Sequence, residues 1–292
     1  MIDLQHSRGF TLVELILVIV LSAIVGMMIS TVLSRPLDNF VGQSRRAELV
    51  DRGAVALSRM QRDIHLAVPN SVRVSADGEA LELLNIHSAG RYRPNRVGSD
   101  ALAFVNGTSP SCTATGQQCD AFRILEPDID PSGARWLVLY NIGAESGGTA
   151  LVGSNLWAYA NPGVVTPSGA SFAALAGSPV GESLIQVTGA DGFRFAYGSP
   201  QRRLYFANHV VGYRCVGGEL HRYEYAQLLP TLPASIPASA SSAVLAADVA
   251  GCTFDYRRGT SSRAGLASLR LRLSLDGESV RLTQQVHIDN AP

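Results

Sequence analysis

The chain has 292 residues, 46% of them hydrophobic, and its 24 acidic side chains balance 24 basic ones, all of them arginine. That length holds one large domain or two small ones. A net charge of zero with scattered arginines excludes a dominant basic face, and with it nucleic acid as the expected partner.

The first distinctive stretch is Ser7-Arg8-Gly9-Phe10-Thr11-Leu12-Val13-Glu14-Leu15, which opens an apolar run to Leu33 whose only charge is Glu14. At about 1.5 Å per residue the run makes roughly 33 Å of helix, enough to cross a bilayer core. Arg8 precedes it, and Arg35, Arg45 and Arg46 follow it. A membrane anchor explains the length. It does not explain an acid at the start of the apolar segment, where a charge is costly and calls for a partner. A secretory signal peptide would place its small-residue cleavage site after a shorter core, whereas Gly9 comes before a longer one.

Arg35-Pro36 is expected to interrupt and kink the helix, because proline removes a donor and crowds the carbonyl of Val32. Helical periodicity then resumes. Val50, Leu57 and Ile64 recur at heptad spacing, with Phe40, Ala47, Ala54 and Met60 near the same side. Arg45, Arg46, Glu48, Asp51, Arg52, Arg59 and Arg62 fall mostly elsewhere. The pattern predicts an amphipathic helix to about Ala67, ended by Pro69-Asn70, with an apolar stripe that a head must cover.

From Ser71 the pattern changes to short strands. Val72–Val74 and Leu81–Leu83 flank Asp77-Gly78, a hairpin signal. Further strands are expected at 101–105, 122–125, 136–142, 183–187, 192–197, 204–207, 210–215 and 220–225. Last come Leu269, Leu271, Leu273 and Leu275, then Asp276-Gly277, then Val280, Leu282, Val286 and Ile288. Period-two burial on both sides of an Asp-Gly turn predicts an antiparallel hairpin. Residues 144–179 and 228–244, rich in Gly, Ala, Ser and Pro, read as loops that bury little surface.

Cys112, Cys119, Cys215 and Cys252 all lie beyond the anchor. An even number outside the membrane favours two disulfides over a zinc site, since no Cys-x-x-Cys occurs. Three pairings are open, of which Cys112–Cys119 and Cys215–Cys252 are favoured. No catalytic constellation emerges, and no cofactor or metal set. His209 and His221 sit on neighbouring expected strands and could approach each other. Asp128-Ile129-Asp130-Pro131-Ser132-Gly133 has the glycine of a calcium loop but Leu139 where its last ligand would stand, so it reads as a turn. Phe193, Phe195 and Tyr197 alternate as a sheet-core face does.

Gly9-Phe10-Thr11-Leu12-Val13-Glu14-Leu15 resembles the processing motif of type IV prepilins and type II secretion pseudopilins. The resemblance implies cleavage after Gly9 by a prepilin peptidase, methylation of the new amino terminus on Phe10, and a filament-register role for Glu14. Its carboxylate would pair with the terminal amine of a neighbouring subunit, offsetting the burial of both charges. The implied fold is α+β. A leader (1–9) precedes a long pilin-type helix (10–69), which has a transmembrane half at about 12–33 and an amphipathic half. That helix packs on an antiparallel β-sheet head (70–292). Arg45-Arg46-Ala47-Glu48-Leu49-Val50-Asp51 and the stretch from Ala56 to Arg73 are similar to minor pilins of the MSHA type. This implies a non-enzymatic subunit that primes or caps a filament. It would be held by one pass in the bacterial inner membrane with a periplasmic head, and then incorporated in a pilus or pseudopilus. The implied partners are prepilin peptidase, other major and minor pilins through helix and head, and inner-membrane lipid. Two alternatives stay open: a large pseudopilin of a type II secretion system, and a membrane-tethered periplasmic enzyme or ligand-binding domain.

Overall fold

The computed structural model describes residues 10–94 (side chains of 31–39 excepted), 102–104, 121–176, 180–190, 192–259 and 263–288. One helix, α1 (Leu12–His65), runs for 54 residues, about 80 Å of axis. Arg35-Pro36 lies within it and does not end it. A proline disturbs one turn, by its missing N–H and its crowding of one carbonyl, and the bonds of the turns on either side carry the helix through. At the far end the N–H of Leu66 bonds back to Arg62 and Asp63, and that of Val68 turns away to the carbonyl of Leu84 at 2.8 Å. Pro69 follows, and Asn70 takes a left-handed φ of 56°, a conformation its short polar side chain tolerates.

The first strands are β1 (Arg73–Val74), β2 (Ala80–Arg91), β3 (Ala121–Ile124), β4 (Trp136–Val138), β5 (Glu145–Ser146) and β6 (Thr149–Ala150). Next come β7 (Ser171–Leu175), β8 (Ser183–Thr188), β9 (Arg203–Val216) and β10 (Glu219–Tyr225). The last are β11 (Ser241–Ala246), β12 (Val249–Arg257), β13 (Gly265–Leu275) and β14 (Glu278–Ile288). They form an antiparallel sheet in the order β1-β2-β9-β10-β11, with β4 also on β9, and the separate sheets β12-β13-β14, β3-β8-β7 and β5-β6. The fold is α+β.

Local chemistry explains the two hairpins expected from Asp-Gly. Asp276 and Gly277 both take positive φ, 48° and 86°, as a two-residue turn matched to strand twist requires. That turn sets Leu271 opposite Leu282 and Leu273 opposite Val280. At the other hairpin Arg73 faces Glu82 and Val74 faces Leu81.

The main core lies between α1 and two of the sheets. Leu49, Ala56, Leu57, Met60 and Ile64 of the helix bury against Leu81, Leu83, Val211, Tyr213, Leu269, Leu271 and Leu273. Gly53 sits at the closest approach, where a Cβ would come within 2.3 Å of the Leu282 side chain. Before Leu57 the buried stripe is therefore rotated from the expected one. Ala47 and Ala54 are exposed, Val50 is 42% exposed and Phe40 71%. Leu57, Met60 and Ile64 of the expected stripe are buried, so heptad spacing places the last turns correctly and misses the earlier ones, where Leu49 and Gly53 face the head instead.

Two further cores correct the reading of 144–179 as surface loop. Leu156, Trp157, Val164 and Val165 bury against Leu84, Val210 and Tyr223, on the sheet face opposite the helix. Ala170 and Phe172 join Phe122, Ile185, Leu204 and Phe206 in the third core. Within the segment read as a second loop, Ser241–Ala246 is the strand β11. Strands expected at 204–207 and 210–215 are one continuous strand, β9. The stretch 192–197 is not a strand. Phe193 and Phe195 are buried edge to face at 5.0 Å, and Tyr197 is exposed.

Between β11 and β12 the chain leaves one sheet for another at Asp248, which has a φ of 59°. The crossing is fixed by Val249 N–H to Gly218 and Ser274 N–H to Asp248, both 2.8 Å. Cys215 of β9 and Cys252 of β12 are joined by a disulfide with Cα atoms 6.3 Å apart, which ties the two sheets covalently.

Candidate assembly helix and its anchorage

The helix begins with a cap. Thr11 is extended (φ −80°, ψ 150°), and its hydroxyl accepts a 3.3 Å bond from the backbone N–H of Glu14. Thr11-Leu12-Val13-Glu14 has the spacing of a capping box, a signal that reading Glu14 only as a buried acid overlooks. An acid in the first turn also complements the helix dipole. Among the described residues the Glu14 carboxylate makes no ion pair, and it is exposed.

Leu12–Ser30 is long and apolar enough to cross a membrane, and none of it is buried by the rest of the chain. Phe10, just outside the helix, is 77% exposed. Nineteen residues of this kind cannot be left in water at about 25 cal/mol per Å² of apolar surface. Lipid or other helices must surround them.

Past this apolar segment, the helix is held to the head by charge as well as packing. Arg46 pairs with Glu278 at 2.6 Å and Arg45 with Asp276 at 3.3 Å. Arg52 bridges Glu48 on its own helix and Asp248 at the sheet crossing, each at 2.5 Å. The deepest contact is Asp63. This buried carboxylate accepts from the Tyr213 hydroxyl at 2.5 Å and from Arg222 Nε at 2.6 Å. Burial and the neighbouring carboxylate raise the Tyr213 hydroxyl well above its ordinary range. For Arg222 burial alone would lower the guanidinium, but its bonds to Asp63 and Glu224 outweigh burial and raise it.

Residues 4–30 match the family model described as the prokaryotic N-terminal methylation motif. The chain is type IV pilin-like at its N-terminus. No curated protein and no solved structure matches the chain. The motif thus coincides with the exposed cap and uncovered apolar helix, and among the described residues the first ion pairs between helix and head come later, at Arg45 and Arg46.

The opposite face of the large sheet carries a second buried charge network that the sequence pattern did not signal. Glu82, fully buried, accepts from Arg73 at 2.6 and 3.1 Å and from the hydroxyls of Tyr223 and Tyr225 at 2.9 and 3.0 Å. The Arg73 guanidinium lies 3.7 Å from the Trp157 ring centre and donates to the carbonyl of Leu229 at 2.9 Å. Arg214 donates to the carbonyl of Pro233. These arginines fasten the Pro/Ala/Ser segment over the sheet.

The other sequence candidates separate. His209 lies 3.7 Å from Glu224, and His221 lies 3.0 Å from Glu219. Val210 faces Tyr225 while His221 faces Arg214, so the two histidines are several rungs apart and form no pair. Among the described residues no cluster of His, Cys, Asp and Glu is arranged to hold a metal. Asp130 accepts from the N–H of Ser132 at 2.9 Å, within a turn that leads into β4. Gly9, Cys112 and Cys119 lie outside the described residues. A cleft of about 1050 Å³ runs beside β1 and β12, with Arg258 paired to Glu145 among its lining residues.

Proposed function

We propose that this chain is a minor subunit of a type IV pilus-like filament. It is made as a single-pass inner-membrane precursor with a periplasmic head, cut after Gly9 by prepilin peptidase and methylated on Phe10. The observation that carries the reading is an apolar helix, Leu12–Ser30, that its own head leaves uncovered and that falls within the methylation motif. Packed among other pilins, that helix replaces lipid with neighbouring helices, and Glu14 meets the terminal amine of a neighbour. A buried carboxylate in apolar surroundings is tolerable only when so paired. The β-rich head then faces sister subunits or a surface.

Within this class, the helix sequence from Arg45 to Arg73 supports an MSHA-type pilus subunit resembling the minor pilin MshO, one that primes assembly or caps the tip. The long helix and large inserted head suit a subunit present in few copies. A large minor pseudopilin of a type II secretion system uses the same anchor and is the second reading. Deleting the gene separates them. The first reading predicts loss of surface pili with secretion intact. Intact pili with cargo trapped in the periplasm would establish the second. If deletion changed neither, and the chain of the parent strain stayed in the membrane unprocessed, a tethered periplasmic domain would replace both.

A further inference from the structure

Strand β11 ends the large sheet, and no described strand pairs with its outer edge. Its inner edge pairs with β10, setting Ser241 opposite Glu224 and Val244 opposite His221. Ser241, Ser242, Ala243 and Val244 are exposed, Val244 to 50%. A sheet edge carries unpaired N–H and C=O groups that template another strand, and folded proteins usually guard it with charge, proline or a covering segment.

Most other edges here are guarded. Strand β14 exposes Arg281 and His287, and β1 is only two residues long. Phe254 of β12 donates outward to the carbonyl of Gly78 at 2.7 Å. Beside β3, Arg93 and Leu125 bond across to Arg123 and Arg91 at 2.8 Å. Strand β7 is also an uncharged edge, but it is shorter and buries Phe172. β11 has neither charge nor a described covering strand, and its one irregularity, a bulge at Leu245, lies at its end and leaves Ser241–Val244 in regular register with β10. The sequence carries no charge from Tyr225 to Ala247, and no proline falls within the strand. Asp248, the first charge after it, is engaged by Arg52.

We propose that β11 accepts an extended strand from the head of a neighbouring pilin-type subunit by β-strand addition. The proposal rests on the filament reading above. Helices that share one polarity bring their heads side by side, so another head's strand is the extended chain nearest to this edge. Ser and Ala on both faces let a partner backbone approach without steric selection, and main-chain bonds supply the affinity. Lack of charge restricts the partner segment to uncharged residues, because a charged one would lose solvation and gain no counter-charge.

The test uses the full-length protein in its native membrane. The photo-crosslinking residue p-benzoylphenylalanine replaces Val244 in one strain and Val18 of the apolar helix in another. The expected result at position 244 is an adduct to a chain with a prepilin-type methylated N-terminus, attached within an uncharged strand. Ser242→Lys, on an exposed position, should abolish that adduct while leaving thermal unfolding unchanged. Adducts to sister pilins from position 18 but none from 244 would overturn strand addition and leave the filament reading standing. So would an adduct from 244 to a protein of another class, or one that survives Ser242→Lys. Absence of pilin adducts at both positions would overturn the filament reading and the strand proposal with it.

Discussion

Asp63 on the last turns of α1 accepts from both Tyr213 and Arg222, so one helix carboxylate fixes the helix to two adjacent strands, β9 and β10. Leaving a guanidinium without its buried partner costs about 3–5 kcal/mol. Arg222 keeps Glu224 as a partner, so Asp63→Ala should lower the unfolding free energy by up to about that much, read from urea denaturation. Replacing both Asp63 and Arg222 by leucine should recover part of the loss, since the buried guanidinium is gone, although the Tyr213 hydroxyl loses its acceptor and the partly exposed Glu224 its arginine. Equal loss in single and double variants would mean that the pair is not the source.

Tyr213, Tyr223 and Tyr225 are each raised well above the ordinary value of 10.0, chiefly by burial and secondly by Asp63 or Glu82. A raised folded value means that the folded state holds its proton where the unfolded chain has lost it. The stabilisation is complete below pH 10 and falls as pH rises beyond it. Alkaline titration should therefore show these three ionising only together with loss of circular dichroism. Smooth ionisation of all nine tyrosines before unfolding would contradict the burial.

Cap and carboxylate at the start of α1 can be separated because the cap uses the backbone N–H of Glu14, not its side chain. Thr11→Ala should weaken the first turn by about 1 kcal/mol, seen as faster amide exchange there. Glu14→Gln should leave that exchange nearly unchanged and yet remove the chain from sheared filaments. Normal incorporation of Glu14→Gln would show that the filament does not need the charge of Glu14.

The Cys215–Cys252 bond closes a separation of 37 residues, for which restriction of the unfolded chain is worth about 4 kcal/mol. Replacing both cysteines by serine should lower stability by up to this amount. Because the bond joins β9 to β12, the loss should appear as early opening of the β12-β13-β14 sheet in hydrogen exchange.

The elements that could be read from the sequence are those in which local and tertiary demands agree. Asp276-Gly277 fixes a turn type, and the alternating leucines before it can bury only one way. Pro69-Asn70 stops the helix for reasons internal to the chain. The misread elements answer to distant partners. Trp157 sits among Gly, Pro and Ala with no period around it, and only Arg73 and the large sheet give it a place to bury. β11 has weak strand formers and exists because β10 lies beside it. Phe40, Ala47, Val50 and Ala54 form a true apolar stripe, but the head docks on the adjacent one, a choice set by Leu273 and Leu282 against Gly53. At the N-terminus the motif itself was legible, and the threonine cap within it was not.

The central claim is that the uncovered helix belongs to a processed pilin-type subunit. Intact mass and amino-terminal sequence of the full-length protein, isolated with and without prepilin peptidase, test it most directly. The account predicts a mature chain that starts at N-methylated Phe10 when the peptidase is present and keeps Met1–Gly9 when it is absent. A chain that retains Met1–Gly9 with the peptidase present would contradict it.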